Sequence, residues 1–167
     1  LIQQYANSFT LLYQYDENKI TTYKTKKSKF ILKYDECKNL IEHLKQKLIK
    51  KNEASNLFGK EVNNKFNSII GAIYQTFDKK ELYSTIGEKA ANLLYLTIKD
   101  HPFVDGNKRI ASFLFIYFLK KNNYLFKKDG ERKISDNTLV ALALLIAVSN
   151  PAEKNIMIDL ITNLLKE

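Results

Sequence analysis

Ile110-Ala-Ser-Phe-Leu-Phe-Ile-Tyr-Phe-Leu119 is apolar on almost every side of a helix for about three turns. Such a helix has to be buried all round, which predicts that it is the central helix of the domain. Upstream of it, Thr85-x-x-Glu88 has the pattern of a capping box, and Ala90, Leu93, Leu94 and Ile98 then repeat at helical spacing as far as His101-Pro102. The proline disfavours helical geometry at the residue before it, so a helix ends there. Further upstream, residues 62–73 (Val62, Phe66, Ile69, Ile70, Ile73) and residues 35–50 (Cys37, Leu40, Ile41, Leu44, Leu48) each carry one apolar stripe at helical spacing. Between them and the capping box, Tyr74 to Tyr83 alternates aromatics around the polar turn Asp78-Lys-Lys80, the pattern of a short hairpin. Residues 19–34 read as a basic linker and residues 1–18 as an N-terminal helix, with Leu1, Ile2, Tyr5, Ala6, Phe9, Leu12 and Tyr13 on a stripe that wants a partner. Downstream, Asp129-Gly130 predicts a minor hairpin, Asp136 a cap for a helix through Val148, and Asn150-Pro151-x-Glu153 the start of a last helix. Six or seven helices with one or two hairpins make a mainly α fold, its body running over residues 35–167.

The chain has 167 residues, with 27 Lys+Arg against 18 Asp+Glu for a net charge of +9. That length favours one domain, and 45% hydrophobic residues argue against global disorder. Cys37 is the single cysteine, so no intramolecular disulfide forms, and Cys37, His43 and His101 are too few for a structural zinc site. Cys37 reads as core and His43 as surface. No apolar run is long enough to span a membrane, and residues 1–18 lack the basic head and apolar stretch of a signal peptide. A cytoplasmic location with no membrane partner is expected. The first residue is Leu1 rather than Met, as in a piece of a longer protein. The five glycines supply neither G-x-G-x-x-G nor G-x-S-x-G, and Gly59-Lys60 fails the Walker pattern at Ala54 and Glu61. Only Arg109 and Arg132 are arginines, which disfavours dedicated nucleic-acid recognition. The densest basic stretch, residues 19–29, reads as solvated more readily than as a contact for an acidic partner or nucleic acid.

The chemistry concentrates between the two most hydrophobic helices, in His101-Pro-Phe-Val-Asp-Gly-Asn-Lys-Arg109. The amides of Gly106, Asn107 and Lys108 open a helix, where unpaired N–H groups favour a phosphate. Gly106 lets the backbone approach closely, and Arg109 can fork onto phosphate oxygens. Asp105 offers a hard oxygen to Mg²⁺, which rides on polyphosphates and takes one or two protein carboxylates. Histidine is the side chain whose ordinary pKa of about 6.5 lets it accept a proton at neutral pH, which makes His101 the candidate general base. Phe103, apolar among polar neighbours, would anchor the loop in the core. The set describes a site for attack on a Mg²⁺-nucleotide phosphate.

This nine-residue string resembles the signature of the Fic/Doc (Fido) family. The resemblance implies a Fic/Doc-like helical bundle with a short β-hairpin flap, the motif lying between two central helices. It implies transfer of AMP or of phosphate from ATP, with Mg²⁺, to a hydroxyl of a target protein. Carried over by position, His101 would be the base and Asp105 the metal ligand; Gly106, Asn107, Lys108 and Arg109 would bind phosphate. Tyr74, Gln75, Thr76 and Phe77 would form the flap that docks the target by strand addition. AMP-transferring members carry Gly where this chain has Lys108, and the phosphate-transferring branch carries Lys, which tips the reading slightly toward phosphoryl transfer. Gly106 and Pro102 are closer to the AMP-transferring pattern. Ser149-x-x-x-Glu153 matches the first part of the family's inhibitory motif, but Lys154 breaks its end, so Glu153 reads as a helix cap and restraint is expected from an inhibitory partner, such as an antitoxin, or from upstream sequence. Residues 1–18 resemble the stretch preceding the Fic domain in RhuM-type virulence-associated proteins. The rival from another class is a binding module for nucleic acid or a toxin–antitoxin partner, with the motif catalytically silent.

Overall fold

A computed structural model of the chain describes residues 1–166. Its helices are α1 (Ala6–Asp16, preceded by a 3-10 turn, Ile2–Tyr5), α2 (Tyr34–Lys50), α3 (Lys65–Ile73), α4 (Ile86–Lys99), α5 (Asn107–Lys121), α6 (Asp136–Val148) and α7 (Lys154–Leu164, preceded by a 3-10 turn, Pro151–Glu153). Two two-residue strands, β1 (Thr76–Phe77) and β2 (Lys80–Glu81), pair antiparallel with Thr76 opposite Glu81 and Phe77 opposite Lys80. The fold is mainly α with a small hairpin, as the sequence predicts. No helix of the described residues is long and apolar enough to cross a membrane.

The centre of the bundle is α4, not the all-apolar helix. Twelve of its fourteen residues are buried, and α3, α5, α6 and α7 all pack on it. Helix α5 buries Ile110, Ala111, Leu114, Phe115, Phe118 and Leu119, but its Phe113, Ile116 and Tyr117 face is only half covered. Polar residues do not push α4 outward: the charged ones find partners at hand, while Thr97 Oγ1 and Asn92 Oδ1 are buried with none among the described residues. The Thr85 hydroxyl caps the helix by accepting from the Glu88 N–H at 3.2 Å. The Glu88 carboxylate accepts from that same hydroxyl at 2.9 Å and pairs with Lys24 at 3.0 Å, so it closes the cap through the side chain, where a capping box would use the Thr85 N–H.

Residues 19–34 correct the linker reading, since they form a strap bound to the core. Ile20 and Leu32 are buried. The Tyr23 N–H donates to Thr162 Oγ1 at 3.0 Å, and Asn163 Nδ2 donates to the Thr21 carbonyl at 2.7 Å. Farther along, the Ile86 N–H donates to the Lys26 carbonyl at 2.9 Å, and Asn122 Oδ1 accepts from the Lys29 and Phe30 amides at 3.3 Å each. The lysine side chains of the strap are exposed. It is held by backbone hydrogen bonds, by the buried Ile20 and Leu32 and by the Lys24–Glu88 pair, which composition does not reveal.

Other boundaries move for local reasons. Helix α3 starts at Lys65 instead of residue 62, because Val62 donates its N–H to the Pro102 carbonyl at 2.8 Å and Asn63 and Asn64 are left-handed. Ser135, not Asp136, caps α6, accepting from the Thr138 N–H at 3.2 Å, while Asp136 pairs with Arg132 at 2.8 Å. Asn150 caps the 3-10 turn before α7, and Glu153, expected as the other half of a cap, ends that turn exposed and caps nothing with its side chain. Helix α1 buries none of its residues, so its apolar stripe stays open. Cys37 is fully buried, and burial together with the charge of Glu36 pushes its thiol up to about 12.

Candidate active site

The loop joining α4 to α5 is built by four devices. His101 ends α4 in a left-handed conformation (φ +47°). Phe103 is buried and packs its ring at a 40° tilt against that of Phe66, the centroids 5.1 Å apart. The Asn107 side chain turns back on the loop, accepting from the Phe103 N–H at 3.0 Å and donating to the Phe103 carbonyl at 2.8 Å. Finally, residues 58–62 run alongside as a short ladder: Gly59 donates to the Asp105 carbonyl at 3.0 Å, Val104 to that of Lys60 and Val62 to that of Pro102, both at 2.8 Å.

Gly106 sits at the N-cap of α5 with φ +88°, a conformation side chains rarely adopt. A Cβ there would come within 2.3 Å of the Phe58 ring. The close approach that requires glycine is therefore to the protein's own core, where the sequence reading placed a ligand. No side chain caps α5, in contrast to α4 and α6. The N–H groups of its first turn have no acceptor within the helix and face outward as a positive dipole end.

A cleft of ≈ 420 Å³ opens over this helix start, lined by His101, Val104, Asp105, Gly106, Asn107, Lys108 and Arg109. All six motif residues singled out in the sequence line it, together with Val104, which sequence reasoning passed over. The structure changes the part played by one of them, since the Asn107 amide is committed to the loop and only its backbone N–H is left for a ligand. Asp105 is half exposed, and its nearest cation is the Arg109 guanidinium at 3.7 Å. Arg109 donates to the Glu53 carbonyl at 2.6 Å and lies over the Phe58 ring, 4.8 Å from its centroid. Among the described residues no group of three His, Cys, Asp or Glu side chains could hold a metal by itself. A divalent ion here would have to arrive on phosphates and use Asp105 as its protein ligand, which this half-exposed carboxylate fits.

The Fic/DOC family model matches residues 32–119, just over half of the chain. The chain belongs to the Fic/DOC family. No curated protein and no solved structure matches it. The family match runs from the end of the strap through most of α5, so the cleft and the hairpin both fall inside the Fic/DOC portion, and membership supports a Fic-type transferase role. The hairpin residues divide. Thr76 and Phe77 form exposed β1. Tyr74 caps the end of α3, its hydroxyl accepting from the Leu32 N–H at 2.7 Å and burial raising its pKa, while the Gln75 amide donates to the Ala72 carbonyl at 2.9 Å. Tyr74 thus anchors the hairpin and lies off its edge. Lys89, buried in α4, ties down the other end by donating to the Tyr83 carbonyl and pairing with Glu81 at 3.1 Å.

Proposed function

We propose that this Fic/DOC chain transfers the γ-phosphoryl group of Mg²⁺-ATP to a hydroxyl of a target protein. One observation carries the reading. A single hollow collects a histidine, a carboxylate, the N-terminal dipole of a long helix and two adjacent cations, Lys108 and Arg109. In that reading, the His101 imidazole takes the proton of the incoming hydroxyl. The oxygen then attacks the γ-phosphorus, the bond from that phosphorus to the β–γ bridging oxygen breaks, and ADP departs. The helix amides and Arg109 stabilise charge on the phosphoryl oxygens, where positioning and electrostatics supply most of the rate. Mg²⁺ bound through Asp105 would neutralise charge on the polyphosphate. Lys108, exposed at the mouth of the cleft, favours seating the most highly charged end of ATP beside His101.

The second reading uses the same cleft with the nucleotide reversed, so that the hydroxyl attacks the α-phosphorus, AMP is transferred and pyrophosphate leaves; Gly106 and Pro102 favour it. In both, the target docks by adding a strand to exposed β1 of the flap. Incubation of a lysate with ATP labelled on the α- or the γ-phosphate separates the two readings. Label is expected on protein from the γ-position, in wild type and not in His101→Ala. Label from the α-position alone replaces phosphoryl with AMP transfer. Equal labelling by wild type and His101→Ala removes both and leaves a silent binding module.

A further inference from the structure

Phe58 has no place in the motif, and yet the site is assembled on it. Its ring is 1% exposed and wedged between two members of the cleft. On one side it meets Gly106, where there is room only for a hydrogen, and on the other the Arg109 guanidinium, 4.8 Å from the ring centroid. The ring cannot drift, because the backbone on both sides of it is tied. Phe58 donates its N–H to the Ser55 carbonyl at 3.1 Å, and the next residue donates to the Asp105 carbonyl at 3.0 Å. The guanidinium is also held at its edges, donating to the Glu53 carbonyl at 2.6 Å and standing 3.7 Å from Asp105. Arg109 has five N–H donors, so a bond to Glu53 leaves most of them for a ligand. An arginine side chain otherwise loses considerable rotamer freedom on gripping an anion, and a face held against an aromatic ring removes that loss in advance.

We propose that Phe58 is a positioning residue of the transfer site: its ring is the floor that presents the Arg109 guanidinium, already oriented, to a polyphosphate. This rests on the reading of the 101–109 cleft as a polyphosphate site. The Glu53 carbonyl marks the edge of the same platform, which makes the 51–58 turn part of the site although it lies about fifty residues from the motif.

The test is a double-mutant cycle on the full chain with Phe58→Leu, Arg109→Ala and the pair, reading the affinity for Mg²⁺-ATP and for inorganic triphosphate by calorimetry. Phe58→Leu is expected to weaken binding about three- to tenfold when Arg109 is present and less than about twofold when it is absent, as for a residue acting through its neighbour. Equal losses in both backgrounds overturn the proposal and reduce Phe58 to a core residue. Should wild type bind neither probe, the polyphosphate reading falls and takes the proposal with it. A further measurement needs neither ligand nor variant. The Arg109 side-chain N–H resonance of the free wild type should be shifted upfield by the ring current of Phe58, and a resonance at the position of a solvated arginine overturns the proposal even if Phe58→Leu does not fold.

Discussion

At the scale of single residues, the site depends on a backbone conformation that only one position allows. Gly106→Ala should cost about 2–5 kcal/mol in urea unfolding, from left-handed strain and from a Cβ driven against a buried ring. A loss below about 1 kcal/mol would mean that the Phe58 ring yields freely. The motif was legible in the sequence because its chemistry is local: nine consecutive residues supply every side chain that lines the cleft. Phe58 and Glu53 were not legible. Phe58 is brought to Arg109 by a ladder between segments more than forty residues apart, each too short to show a period, and Glu53 only by its backbone carbonyl, which no side-chain pattern marks. The only trace was a lone aromatic beside Gly59, outside any helical spacing. The Asn107 amide misled for the opposite reason, since a polar side chain in a phosphate-binding string has the right chemistry for a ligand but is spent on folding the string.

At the scale of elements, apolarity and centrality came apart. The sequence pointed to residues 110–119 as the middle of the bundle, but burial belongs to α4, whose Glu88 and Lys89 are satisfied by the strap and the flap. A charged residue can be interior when its partner comes from another element, and single-sequence periodicity has no access to that partner. Lys89→Met follows from this. It removes the bond to Tyr83 and the pair with Glu81, so the chain should lose about 1–3 kcal/mol, the range for hydrogen bonds to a charged group. The Leu82 amide, which donates to the Gln75 carbonyl at 3.0 Å, should exchange with solvent several-fold faster than in wild type, as the hairpin base loosens. Unchanged exchange at Leu82 would show that Tyr74 alone holds the flap.

At the scale of the whole molecule, the helical architecture and the position of the reactive loop were readable from capping and periodicity, whereas the packing of the strap was not. Residues 1–13 are the counterpart. Their apolar stripe reads as an interface, and in the folded chain Leu1 is 89% and Leu12 61% exposed. Removing residues 1–13 should therefore move the melting temperature by less than about 2 °C, since almost no buried surface goes with them. A larger fall would place that stripe against the body. The strap has the opposite character. Its hydrogen bonds join Thr21 to Asn163 across 142 positions and Tyr23 to Thr162 across 139. As the polypeptide leaves the ribosome, residues 20–23 have nowhere to settle until α7 has emerged. The bundle is thus seamed shut only once its seventh helix has been made, whatever order the other helices fold in.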